Sequence, residues 1–160
     1  MTKPNQPLAI ILEIDIEAPP EKIWQIIGSG EGMQAWLGMH GFEPRVGGAY
    51  RMHVTTPEGV FDFFGEVTAC EPPNKLSFTW TQQEEGKQPW PLSTLVTLTV
   101  EAKSENLSRV RLHHTGFEQL PPEMAEEEHA GHILGWERSQ ALQELKQLAE
   151  SDLNPAKEKP

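Results

Sequence analysis

The run Glu71-Pro72-Pro73-Asn74-Lys75-Leu76-Ser77-Phe78-Thr79-Trp80 constrains the fold more than any other segment. Two prolines and an asparagine end any regular element, and a strand pattern starts directly after them. Its alternate residues Leu76, Phe78 and Trp80 are large and apolar, so one face of this strand must be buried. The turn and its aromatic strand lie mid-chain among other short strands, with two Trp-bearing helical segments before them and one long helix after, which suggests a sheet wrapped around a pocket and closed by a helix.

The neighbouring patterns agree. Ile10, Leu12, Ile14 and Ile16 alternate with Ile11, Glu13, Asp15 and Glu17, a period of two. Gly47-Gly48 opens a strand in which Tyr50, Met52 and Val54 share a face. Thr56-Pro57-Glu58-Gly59 reads as a hairpin turn, after which Phe61, Phe63, Gly65 and Val67 share a face. Val96, Leu98 and Val100 pair with Val110, Leu112 and His114 across a turn at Ser104-Glu105-Asn106. Residues 83–92 form a longer loop that carries Trp90 between two prolines. Trp90 is either folded back onto the sheet edge or free to act as a lid or partner contact.

Helical patterns flank the strands. Ala18-Pro19-Pro20-Glu21 opens a short helix with Ile23, Trp24, Ile26 and Ile27 on its apolar side, since proline is tolerated in a first turn. Gly28-Ser29-Gly30-Glu31-Gly32 leads to a second short helix carrying Met33, Trp36 and Leu37. This glycine-rich run follows a helix rather than a strand, so a helix–helix connection is favoured over a nucleotide loop. From Pro122 the period becomes helical to about residue 150, with an apolar stripe of Leu134, Ala141, Leu142, Leu145 and Leu148. Gly131 and Gly135 lie four apart on one face, which lets the helix either approach the sheet closely or kink there.

The 160 residues and the absence of any repeat predict one domain over 8–150, with flexible tails at 1–7 and 152–160. A formal net charge of −11 argues against a phosphate-tracking surface, so neither nucleic acid nor an anionic membrane is an expected partner. The single Cys70 precludes an intrachain disulfide, and the apolar run Leu8–Leu12 is too short for a signal core or a span. A cytoplasmic protein is expected.

Several motifs in order resemble one family. Ala18-Pro19-Pro20-Glu21-Lys22-Ile23-Trp24 is similar to its entry into the first helix, and Trp36 to the tryptophan ending the second. Gly47-Gly48-Ala49-Tyr50-Arg51 resembles its double-glycine strand start. Gly65-Glu66-Val67, then Glu71 to Leu76 and Phe78-Thr79-Trp80, is the closest stretch. Leu112-His113-His114-Thr115-Gly116 and Gly135-Trp136 complete the set. The chain resembles the START/Bet v 1-like (SRPBCC) superfamily over roughly residues 8 to 150, in the branch related to the activator of heat-shock protein 90 ATPase. The resemblance implies an α+β helix-grip fold, with a curved antiparallel sheet of about seven strands, two short helices, and a long C-terminal helix enclosing a cavity. One departure concerns that helix: where the branch places leucines after Gly135-Trp136, this chain has Gln140 and Gln143, with Leu142 and Leu145 instead.

The resemblance does not fix one reaction. The expected function is binding of a small apolar or aromatic molecule, of stress-response or ligand-sequestration type. The expected ligand-binding residues are Tyr50, Met52, Phe61, Phe63, Phe78, Trp80, Leu98, Leu112 and His114 on the strands, and Trp36, His132 and Trp136 on the helices. An unperturbed imidazole titrates near neutrality, so His114 is either a group that polarises a ligand carbonyl or phenol, with Tyr50 as its polar companion, or a buried histidine bonded to a neighbour. A cyclase- or hydrolase-like enzyme using His114 and Tyr50 as acid and base is the second reading. A co-chaperone is the third, disfavoured because only about seven residues precede the first strand. His129 and His132, with His113 or His114, suggest a three-ligand metal site, but no recognised motif is completed, so neither a metal nor a cofactor is expected. Asp62 and Glu66 read as surface acids, Cys70 as a packed small residue, and Arg45 and Arg51 as solvated. A homodimer remains open through the sheet edge.

Overall fold

The computed structural model describes residues 7–151, so the expected tails lie almost wholly outside the described residues. The elements follow in the order β1 (Ile10–Ile16), α1 (Pro20–Ile27), α2 (Gly30–Leu37), β2 (Ala49–Thr56), β3 (Gly59–Glu71), β4 (Lys75–Glu84), β5 (Thr94–Ser104), β6 (Leu107–Thr115), α3 (Pro122–Ser139) and α4 (Ala141–Glu150). One antiparallel sheet holds the strands in the order β1-β6-β5-β4-β3-β2. The sheet has six strands, not about seven. Between α2 and β2 the chain makes only the single bridge of His40 to Arg51. Gly38, Gly41 and Gly47 there all have positive φ, which interrupts any extended run.

The period-two patterns settle into register on one concave face. Leu12, Leu112, Leu98 and Leu76 stand opposite one another across β1, β6, β5 and β4. The next row runs Ile10, His114, Val96, Phe78 and Val67, so a histidine occupies a position whose row is otherwise apolar. Tyr50 is opposite Gly65, and a side chain on Gly65 would come within 2.0 Å of the Thr79 carbonyl oxygen. Only glycine allows that close approach of β3 and β4, and the Tyr50 hydroxyl donates to the same carbonyl at 2.7 Å. The double-proline turn holds a cis Pro72–Pro73 bond.

The two short helices pack on the end of the sheet away from His114. Ile23, Ile26 and Ile27 are fully buried, whereas Trp24 lies half-buried against Gly28. The glycine-rich run is a helix–helix connection. Ser29 caps α2 by accepting from the Gly32 amide at 3.0 Å, and Gly32 sits against the Ile26 backbone where any side chain would collide.

The C-terminal helical region is broken at Gln140, which adopts φ 52 and ψ 41. Neither Gly131 nor Gly135 causes the break. Both are exposed, with no atom near where a side chain would stand, so they neither kink the helix nor bring it onto the sheet. The break resolves the unusual leucine spacing. At about 100° per residue, Leu145 would lie about half a turn around from Trp136 on one continuous helix. Both are buried, at 0% and 7% exposure. Restarting the helix after Gln140 turns Ala141, Leu142, Leu145 and Ala149 onto β1, α1 and α2, while α3 keeps its own stripe of Ala125, His132 and Trp136. Leu134, expected on the buried stripe, is 49% exposed for the same reason. Trp36 fastens the joint through its indole nitrogen, which donates to the Ala141 carbonyl at 2.7 Å. Among the described residues no helix is long and apolar enough to cross a membrane.

A left-handed conformation is costly for a residue with a side chain, by about 1–2 kcal/mol. Gln140→Gly is expected to raise stability by about 1 kcal/mol in urea denaturation, and Gln140→Val to lower it by at least as much. Equal midpoints for the two variants would show that the break does not impose this backbone.

Candidate functional site

Between α3 and the sheet, side chains from seven parts of the chain converge. The inward alternation of β3, β4, β5 and β6 presents Phe63, Trp80, Thr94 and His114. After β6, Gly116 at φ 98 turns the chain so that Phe117 folds onto His114, with ring centroids 4.5 Å apart. The loop after β4 spans 85–93 rather than the expected 83–92, because Gln83 and Glu84 still pair with β3; the Trp90 amide ties it back by donating to the Gln82 carbonyl at 3.0 Å, and Trp90 comes to lie 5.4 Å from His132. From above, α3 supplies His132 and Trp136. Trp80 is central, at 4.8 Å from Phe63, 5.4 Å from His114 and 5.6 Å from Trp136. These are contact distances for packed rings, so the space between α3 and this end of the sheet is occupied by the protein's own side chains.

The polar atoms of the cluster are paired in a way that fixes each histidine tautomer. An indole N–H can only donate. Trp136 Nε1 donates to His114 Nδ1 at 3.1 Å, so Nδ1 carries no proton and the neutral ring holds it on Nε2. His114 Nε2 then donates to Thr94 Oγ1 at 2.7 Å, and the Thr94 hydroxyl donates to the Trp80 carbonyl at 3.2 Å. His132 has the opposite tautomer. Trp80 Nε1 donates to its Nε2 at 3.1 Å, and its Nδ1 donates to the Glu128 carbonyl at 2.9 Å.

Both rings are neutral near pH 7. Burial pushes His114 well below the ordinary histidine value, and the nearby His132 and His129 add to that. Burial likewise lowers His132 to about 4, against an opposing pull from the Glu128 carbonyl. The Glu128 carboxyl is raised, chiefly by burial and then by Glu127, although a hydrogen bond from the Trp90 side chain acts the other way. The cluster therefore has no free base. Every lone pair and N–H of the two imidazoles has a partner.

The expected site residues divide into groups. Phe63, Trp80, His114, His132 and Trp136 meet in the cluster. Tyr50 does not join them. It lies four strands from His114, its hydroxyl bound to Thr79 and its ring edge-on to Phe78 at 5.2 Å. Burial raises the Tyr50 phenol far above its usual value, so Tyr50 and His114 do not form an acid–base pair. Leu98 and Leu112 are fully buried in the leucine row, Met52 stands opposite Phe63, and Phe61 lies beyond it with a tilted contact to Phe63 at 6.5 Å. Trp36 anchors the α3–α4 joint rather than the cluster. Among the described residues no group of histidine, cysteine and acidic side chains is placed to hold a metal ion. His129 Nε2 pairs with the Ala9 carbonyl, and His113 is on the opposite face of β6 from His114. Outside the cluster, Asp62 pairs with His53 at 2.8 Å, Arg45 with Glu43, Arg51 lies 5.0 Å above the Phe64 ring, and Cys70 reaches the Pro44 carbonyl.

Phe117, Thr94 and Trp90 are members that the sequence reading did not assign to the site. Extending the buried alternation Val100, Leu98, Val96 back by one step reaches Thr94, so that signal was present. Among the described residues the surface hollows include the following two. One of about 600 Å³ is lined by His40, Arg51, Phe64 and Glu66 near the β2 edge. The other, of about 290 Å³, is a crease between β1 and the α3–α4 joint, walled by Leu12, Ile14, Trp136, Gln140 and Leu142. Trp136 thus faces this crease while its indole nitrogen reaches His114.

The fold recurs in solved structures. MLL2253 from Mesorhizobium loti is 27% identical with a TM-score of 0.67, the match covering 89% of this chain and 96% of that one. Ms6760 from Mycobacterium smegmatis is 18% identical with a TM-score of 0.69, covering 88% and 90%. DynU16, a protein in the dynemicin biosynthetic locus, is 19% identical with a TM-score of 0.64, covering 90% of this chain and 48% of that one. No curated protein sequence matches the chain. The family described as Activator of Hsp90 ATPase homolog 1-like protein matches residues 17–150. With its START-like architecture and its motifs in order, the chain belongs to that family.

Proposed function

We propose that the protein binds a small, largely apolar molecule beneath α3, in the volume now held by the ring cluster. The observation that carries this reading is the unequal attachment of the two C-terminal helices. In α3, eighteen residues long, Ala125 and Trp136 are buried, and Met124, His132 and Ile133 are partly buried against the core. In the shorter α4, four residues are buried, and it packs on β1, α1 and α2. Two exposed glycines lower the intrinsic helix stability of α3 by about 1 kcal/mol each relative to alanine, and no side chain caps its first turn. A segment with fewer buried residues than its neighbour opens more readily than α4 does. What opening uncovers is an apolar, aromatic surface with a few directional polar groups, the usual lining of a small-molecule site. Sequestration of such a molecule is the function this arrangement supports. The enzymatic alternative loses its acid–base pair, since Tyr50 and His114 lie far apart on the sheet.

Titration with the neutral dye N-phenylnaphthylamine tests the reading. Wild-type protein is expected to bind it with enhanced dye emission. Phe63→Arg, which places a charge at the rim of the cluster beside Trp80, is expected to weaken binding at least tenfold while near-UV circular dichroism confirms the fold. Equal binding by both proteins would place the ligand elsewhere.

Acid is expected to release α3. His114 and His132 have folded-state values below the unfolded one, so between the two values the open or unfolded state binds more protons and stability falls as pH falls. For His132 that window runs from 6.5 down to about 4. Within it each histidine contributes up to about 1.4 kcal/mol of loss per pH unit. The raised Glu128 carboxyl acts in the opposite direction, whereas Glu13 and Asp15, held low by Arg111 and Arg109, matter only below their ordinary values. Chemical denaturation at about pH 7 and about pH 5 should show the loss, and His132→Gln should reduce it. A wild-type stability unchanged across that range would contradict buried neutral imidazoles.

A further inference from the structure

The crease between β1 and the α3–α4 joint leads to one particular atom. Trp136 forms part of its wall, between Leu12 and Ile14 on one side and Leu142 on the other. On its inner side the Trp136 indole N–H satisfies His114 Nδ1. A molecule entering by this route meets Trp136 first, and what it uncovers by displacing the indole is a buried hydrogen-bond acceptor. The tautomer cannot adapt cheaply. His114 Nε2 must keep its proton to serve Thr94 Oγ1, whose own hydroxyl proton is committed to the Trp80 carbonyl.

We infer that the ligand is a fused or similarly flat aromatic molecule bearing a hydroxyl group, which takes the place of the Trp136 indole and donates its O–H to His114 Nδ1. The inference rests on the proposed binding beneath α3 and gives that site its polar specificity. Shape and chemistry are set by the group displaced: an indole is a flat bicyclic ring with one donor at its edge. Trp80 and Phe117, both in contact with His114, supply the apolar walls that the indole now uses or adjoins. A ligand offering only acceptors, such as a ketone or an ether, would face the lone pair of Nδ1 and leave a buried acceptor unpaired, which is more costly than the hydrogen bond is favourable. A carbonyl ligand is therefore disfavoured at this position, because accepting from Nδ1 would require the proton to leave Nε2 and the Thr94 hydroxyl to give up the Trp80 carbonyl, and His114 acts as a specificity-determining acceptor.

The test compares 2-naphthol, 2-methoxynaphthalene and naphthalene by isothermal titration with the full chain. The naphthol is expected to bind at least about fivefold more tightly than the methoxy compound. In His114→Phe that preference should vanish while all three still bind. Trp136→Phe, which removes the competing donor but keeps a ring, should widen it, and this variant carries the test if His114→Phe does not fold. Equal binding of the naphthol and its methyl ether by wild type would overturn the inference and leave the apolar binding reading standing. A preference that survives in folded His114→Phe, or is unchanged in Trp136→Phe, would also overturn it. Failure of all three compounds to bind would remove both readings together.

Discussion

Two imidazoles buried without charge join the helical layer to the sheet at this end of the molecule. Each accepts from an indole, and the two chains of hydrogen bonds meet at Trp80. One runs from Trp136 through His114 and Thr94 to the Trp80 carbonyl, and the other from the Trp80 indole through His132 to the Glu128 carbonyl. Both begin or end on α3. A single such bond contributes only about 1 kcal/mol net, but leaving one of these buried atoms unpaired costs about 1–3 kcal/mol. The network therefore holds less by attraction than by the penalty for partial disruption, which makes it all-or-none. That property suits a helix with two states, docked with every polar atom matched or withdrawn with the atoms offered to something else.

The break at Gln140 makes the two states separable. On one continuous helix, moving the first half would drag Leu142 and Leu145 out of the core, and the cost would be that of unfolding the sheet's other end. The left-handed residue divides the duties. The α4 side packs on β1, α1 and α2, with Trp36 holding its first carbonyl, while α3 joins it through a single backbone turn and packs instead on the Phe117–Gln119 turn and the ring cluster. The crease lies at this joint, with Gln140 in its wall, so on the proposed binding reading the hinge and the entrance coincide.

The sheet was legible because a period of two leaves little freedom once one face is apolar: Leu12, Leu98 and Leu112 fell into one row as their spacing required. The double-proline turn and the glycine-rich helix connection followed from local chemistry in the same way. The helix break was not readable from propensity, because glutamine is an ordinary helix former and the two glycines drew attention to the wrong place. Its trace was the phase conflict between Trp136 and Leu145, which counts only if both are known to be buried. The site was half legible. Inward alternation found Trp80 and His114, but no one-dimensional pattern distinguishes Tyr50, whose hydroxyl bonds to a carbonyl two strands away, from a ring that joins the cluster. Trp90 and Phe117 reach the cluster through loop geometry, set by Gly116 and by the bond from the Trp90 amide to Gln82, and spacing carries no record of either.

A core built only for stability would fill this volume with leucine and isoleucine, as the other end of the same sheet does. Histidine and tryptophan there are a costly choice, since each imidazole loses stability on acidification and each polar atom demands a partner. The choice has one consequence that aliphatic packing cannot supply. Bonds between rings and directional donors are exchangeable, because an incoming molecule with the right ring and the right proton replaces a side chain at nearly equal energy. An aliphatic core would have to be opened against the full cost of exposing it. On the proposed binding reading, the filled cluster is the resting form of a receptor whose own indole occupies the ligand's place, and the polarity of His114 Nδ1 selects which molecules take that place.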